Sequence, residues 1–135
     1  MGVIYVARSA KLNKWASDVG LSRHVFKVGY TEEPVKALVE AGWAGEDDWT
    51  LVKQEAAEDI PEEEILDRLA RKEKAIDPKY YPRIKGTPGL FKVDPVHVEN
   101  HIVVTQVLAD NGVKRESLKL KPRDFADYLI HNVRR

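Results

Sequence analysis

Cysteine is absent from the chain. That excludes disulfides, thiolate zinc sites and cysteine nucleophiles, and it fits a reducing cytoplasm. Net charge is absent too, because 22 Lys and Arg offset 22 Asp and Glu, giving a pI near 6.9. Proteins that coat nucleic acid without specificity are strongly basic, so overall charge argues against such a coat. No run approaches the roughly 20 apolar residues needed to span a bilayer. The N-terminus also lacks the charged-then-apolar order of a signal peptide. The expectation is a soluble, cytoplasmic protein without a membrane partner. Two catalytic signatures are missing as well, the G-x-x-x-x-G-K-[ST] phosphate loop and the G-x-S-x-G elbow. Gly86-Thr87-Pro88-Gly89 is too short and too proline-broken for a dinucleotide fingerprint.

What is present suits one domain. The 135 residues, 43% hydrophobic and 33% charged, are enough for one core and too few for two. The neutral total hides an asymmetry. Residues 46–67 hold ten acidic side chains against one lysine, and residues 114–135 hold seven basic against three acidic. Two solvated faces account for this, as does an acidic face for a protein partner together with a basic surface for phosphate.

Residues 2–8 and 25–29 read as strands rich in β-branched and aromatic residues. Ser9 suits an N-cap, and Leu12, Trp15, Ala16 and Val19 follow at helical spacing before Gly20. Thr31 is the next cap candidate, with Val35, Leu38 and Val39 as an apolar stripe ended by Gly42. Residues 49–54 alternate as a third strand. Asp59 and Glu62 have capping-box spacing before a helix expected over 60–76. The Tyr-, Pro- and Gly-rich segment 79–88 reads as an ordered loop, and 89–93 as a fourth strand. Asp94-Pro95 opens a helix to about residue 110, closed by Asn111-Gly112, and 118–120 is a candidate edge strand. Pro122 opens the last helix. The pattern predicts an α+β fold, a small and mainly antiparallel sheet of about three to five strands packed with several helices.

Gly2-Val3-Ile4-Tyr5-Val6 and Val25-Phe26-Lys27-Val28-Gly29-Tyr30-Thr31 are the most distinctive segments. Laid side by side, such strands are expected to bring Tyr5 and Tyr30 near one another. The pair resembles the signature of the GIY-YIG endonuclease superfamily, most closely the phage-type branch in which a Lys-Ile-Gly-like strand replaces Tyr-Ile-Gly. Tyr5 then matches the tyrosine of the first tripeptide, and Lys27 occupies the tyrosine slot of the second. The insert between the motifs, residues 8–24, is longer than the usual hairpin.

The resemblance implies one GIY-YIG-like domain over 1–135 with a C-terminal helical extension from about 113. It also implies a metal-dependent nuclease hydrolysing phosphodiesters of nucleic acid, most readily DNA, with Mg2+. Tyr5 and Tyr30 are the implied catalytic tyrosines. Lys36 stands where the family places an arginine, as the only cation between Tyr30 and Gly42. A lysine offers a point charge in place of a bidentate fork, and Arg8, Arg23 and Lys27 are further candidates for phosphate. Glu63 and Glu64 are the implied metal ligands on the acidic helix, with Asp67 one turn later. The helix dipole by itself also favours carboxylates at 62–64.

Tyr81, Arg83 and Lys85 interleave aromatics with cations as nucleic-acid binders do, and equally as a packed loop does. His97 and His101 share a helix face at i, i+4 without forming H-E-x-x-H, and Asn100 is a further candidate contact for phosphate or metal. The alternative left open is a catalytically inactive GIY-YIG-like module binding nucleic acid or protein.

Overall fold

The computed structural model describes residues 2–21, 24–57, 60–76, 79–108 and 120–133, without the side chains of 105–108. Five strands, β1 (Gly2–Ser9), β2 (Val25–Thr31), β3 (Trp49–Ala57), β4 (Lys74–Ala75) and β5 (Leu90–Lys92), make one sheet in the order β3-β1-β2-β5-β4. Every neighbouring pair is antiparallel. Among the described residues five helices flank it: α1 (Ala10–Asp18), α2 (Val35–Ala41), α3 (Glu62–Ala70), α4 (Pro95–Leu108) and α5 (Pro122–Val133), with a 3-10 turn at Pro82–Ile84. This is the small antiparallel α+β fold expected from the sequence. None of its helices, among the described residues, is long and apolar enough to cross a membrane.

Strand alternation gives the sheet two working faces. Ile4, Val6, Phe26, Val28 and Phe91 lie with Ile65 and Leu69 of α3, Val98 of α4, and Phe125, Leu129, Ile130 and Val133 of α5 in the main core. Ala7, Val25 and Leu90 lie with Leu12 and Ala16 of α1, Trp49, Ile76 and Ile84 in a second cluster. The C-terminal helix packs into the main core. His24 and Phe26 stack on its Phe125 at 4.7 and 5.3 Å between ring centroids.

Local chemistry explains most element ends. Ser9 accepts the Leu12 amide at 3.1 Å as the expected cap, and its own hydroxyl donates to Asp48. Asn13 is buried between α1 and β2, donating to the Ser9 and Val25 carbonyls while its oxygen accepts the Val25 amide at 2.8 Å. Thr31 differs from expectation. It is the last residue of β2, and its hydroxyl accepts the Glu33 amide in a turn, while Pro34 precedes α2.

The helix expected over 60–76 stops at Ala70 because the chain there serves other partners. Glu73 turns inward, Lys74–Ala75 pairs with β5, and the Ile76 amide donates to Leu90. β3 extends to Ala57, three residues past its expected end. Asp59 of the capping box, Asn111-Gly112 and most of the 118–120 segment lie outside the described residues, and Leu120 is not in a strand.

Removing a buried side chain of α3 from the main core should cost far more than trimming an exposed edge strand. Leu69→Ala, at a position 0% exposed, is expected to lose about 2–5 kcal/mol in chemical denaturation. Leu51→Ser on the outer edge of β3 is expected to change stability by about 0.5 kcal/mol or less.

Candidate functional site

Pairing register decides which of the signature residues can meet. Tyr5 lies opposite Gly29, and Ile4 lies opposite Tyr30. Directly opposed residues share a face of an antiparallel pair, so Tyr5 and Tyr30 project to opposite sides of the sheet. The expectation that the two tyrosines come together is therefore corrected. Tyr30 packs against the main core, with its phenol over Gly2.

Lys27 takes the place beside Tyr5. It is two residues from Gly29 on the same face, and its side chain is only 3% exposed. Its Nζ donates to the Tyr5 hydroxyl at 3.4 Å and to the Val28 carbonyl at 3.2 Å. It also lies 5.4 Å from the Tyr5 ring centroid and 5.5 Å from that of Trp43. Trp43 stacks on Tyr5 at 5.7 Å, 15° from parallel, and meets Trp49 edge-on. Aromatic faces attract a cation through their quadrupole, more strongly where water is excluded. Among the described residues the carboxylate paired with the ammonium is Glu62, whose Oε1 is 4.0 Å away and whose side chain is 42% exposed.

Two glycines make room for this arrangement. A Cβ at Gly29 would strike the Tyr5 hydroxyl and stand 2.7 Å from the Glu62 carboxylate. A Cβ at Gly89, which has φ of +80°, would strike the Val28 carbonyl and stand 2.9 Å from the Lys27 ammonium. The glycine of the second motif therefore lies between phenol and carboxylate, where any side chain would fill the site.

Burial governs the protonation of the two groups. Desolvation pulls the Lys27 ammonium down to about 8, with Glu62 opposing the shift. Desolvation, helped by Glu62, pushes the Tyr5 phenol well above its ordinary value. Tyr5 is thus a neutral hydrogen-bonding group across the physiological range and not a phenolate base.

The other expected residues lie elsewhere. Glu63 and Glu64 are exposed on α3, and Glu64 pairs with Arg68, which in turn donates to the Val133 carbonyl. Lys36 is exposed on α2, and no hydrogen bond or ion pair among the described residues joins it to Tyr5 or Lys27. Arg8 is half-buried on β1 opposite Thr50, and Arg23 lies outside the described residues. Arg83 is engaged within the protein, paired with Glu46 and donating to the Ala44 carbonyl at 2.8 Å. Tyr81 packs edge-on against Trp15 at 5.9 Å. Lys85 is exposed beside Gly45, on the rim of a hollow of about 660 Å3 that Trp43 also lines.

Trp43 and Glu62 were missed as site residues. Nothing in the local pattern marks Trp43, and the run Glu62-Glu63-Glu64 does not by itself show which carboxylate turns toward the sheet.

Among the described residues no group of three or more His, Asp or Glu side chains is arranged to hold a metal ion. Glu62 alone presents a partly exposed carboxylate beside Tyr5 and Lys27 among the described residues, a single oxygen donor group of the kind a hard cation takes. Comparisons with protein-family models, curated proteins and solved structures find nothing that matches this chain.

Burying an ammonium should show in stability. Between pH 8 and 10 the unfolded chain, with Lys27 at its ordinary 10.5, binds more protons than the folded one. Stability therefore rises with pH across that window. Full development of the shift is worth about 3 kcal/mol. Above pH 10 the raised Tyr5 phenol acts in the opposite sense, because the unfolded chain then releases its proton first. Lys27→Met is expected to flatten the rise between pH 8 and 10 and to stabilise the protein at pH 7, as read by urea unfolding at each pH.

The glycine spacing makes a separate prediction. Gly29→Ala should cost about 1–3 kcal/mol through overpacking. Combined with Tyr5→Phe it should cost less than the sum of the two, a coupling that a double-mutant cycle measures.

Proposed function

We propose that this chain is a GIY-YIG-like, magnesium-dependent nuclease that hydrolyses phosphodiester bonds of nucleic acid. One observation carries the reading: Tyr5 from β1, Lys27 from β2 and Glu62 from α3 converge around the side-chain-free Gly29. These are the first-motif tyrosine, the residue in the second motif's tyrosine slot, and a carboxylate of the later acidic helix.

In this reading the Tyr5 hydroxyl orients the attacking water, since its raised pKa keeps its proton in place. Lys27, held by the Val28 carbonyl and two aromatic faces, sets a fixed positive charge beside the scissile phosphate. Glu62 would hold magnesium, which would offset phosphate charge and lower the pKa of a water bound to it. Lys27 thereby does part of the work that the family assigns to an arginine on the next helix, where this chain has the exposed Lys36.

A second reading has its own support. Tyr5 and Lys27 are each only 3% exposed, which suits a buried polar network in a non-catalytic module that binds nucleic acid. The two readings part on cleavage, because a binding module retains DNA in EDTA and leaves it intact.

With labelled DNA and magnesium, Tyr5→Phe, Lys27→Met and Glu62→Gln are each expected to slow cleavage by about a hundredfold or more, the scale of losing one preorganised electrostatic contact. Glu63→Gln and Glu64→Gln should stay within a few-fold of the parent. Undiminished cleavage by a Tyr5→Phe, Glu62→Gln double variant, or equal cleavage in EDTA, would overturn the assignment.

A further inference from the structure

Beyond the far end of α3 from Glu62, two hollows of about 370 and 440 Å3 adjoin, sharing Lys72 and His97 in their walls. Lys74 and Lys92 complete the cationic wall of the first, and Arg71 and His131 line the second. Lys74 and Lys92 are direct partners in the β4–β5 ladder, so their side chains rise from one face about 5 Å apart at Cβ. Like charges set opposite one another on neighbouring strands destabilise a sheet. Among the described residues, none of Arg71, Lys72, Lys74 or Lys92 forms an ion pair that would relieve this.

Two carboxylates also line the first hollow, each with hydrogen-bond partners inside the protein. Glu73, 5% exposed, accepts the Asp94 amide at 2.9 Å, His97 Nδ1 at 2.8 Å and the Tyr128 hydroxyl at 3.4 Å. Asp94 accepts the Val96 amide at 2.9 Å in the first turn of α4. Arg71, Lys72, Lys74 and Lys92 outnumber Glu73 and Asp94 in the walls, so the concavity is net positive in a chain that is neutral as a whole.

We propose that this double hollow is a groove for the phosphate backbone of nucleic acid, separate from the Tyr5–Lys27 site. Two adjoining hollows, each with cations, fit successive phosphates better than one small anion, and backbone contacts of this kind position a strand without reading its sequence. The proposal rests on the nucleic-acid part of the function given above and does not need cleavage.

The test is anisotropy of a labelled 20-base-pair duplex in EDTA, titrated across salt concentrations, with melting temperatures measured in parallel. Lys74→Ala/Lys92→Ala is expected to weaken binding about tenfold or more and to lower the salt slope by up to about two. The same variant should melt at or above the parent temperature, because the like-charged pair is gone. Unchanged affinity and slope would overturn the groove, as would loss of binding together with a fall in melting temperature, since the lysines would then be supporting the fold. Amide shifts at Lys72, Lys74 and Lys92 that saturate with inorganic phosphate, in a protein that does not bind the duplex, would also overturn it.

Cleavage assays separate this proposal from the nuclease reading. Groove-dependent binding without any cleavage overturns the nuclease and leaves the groove standing, whereas cleavage with groove-independent binding does the reverse.

Discussion

The pairing of Tyr5 with Gly29 is the constraint on which the arrangement of this protein turns. A one-residue slip of β2 against β1 would carry Lys27 into the main core and lift Phe26 and Val28 out of it, because strand faces alternate with a period of two. The aliphatic and aromatic residues shared by β1, β2, α3 and α5 hold the register. The site is therefore fixed by the hydrophobic core behind it. The missing side chain at Gly29 then admits the phenol and the Glu62 carboxylate to the same small volume.

A lysine in that volume is costly, and the fold offsets the cost only in part. Two aromatic faces, one carbonyl and one phenol surround the ammonium, and the nearest carboxylate stays 4.0 Å away and partly in solvent. A tighter ion pair would hold Lys27 charged, and an aliphatic residue would pack there without penalty. Structures keep a destabilising choice of this kind mostly where function uses it. The facing lysines of β4 and β5 raise the same question at another place on the surface, where unrelieved positive charge surrounds a concavity.

Much of the architecture could be read from the residues. Ser9, Gly42 and the Asp94-Pro95 pair announced helix ends through their own capping and turn chemistry, and the β-branched and aromatic residues of β1 and β2 marked both strands. Features decided by distant partners could not be read in this way. β4 has two residues and exists because β5 offers it an edge, while the end of α3 reflects the pull of Glu73 toward the start of α4. The site divides along the same line. Tyr5 and Lys27 followed from the strand motifs, but the opposite facing of Tyr30 depends on register. Trp43 closes over Tyr5 from a loop with no local signature. Choosing Glu62 over Glu63 and Glu64 depends on the azimuth at which α3 meets the sheet, which a run of three identical residues conceals.

The most direct test of the central claim, that Tyr5, Lys27 and Glu62 form one site, is an NMR titration of the Lys27 side-chain Cε and Nζ resonances in metal-free protein. The account predicts a midpoint near 8 in the parent and a lower one in Glu62→Gln, since Glu62 supports the charged form. A midpoint at the ordinary 10.5, unmoved by Glu62→Gln, would mean that the ammonium lies in water away from Glu62, and the site described here would not exist.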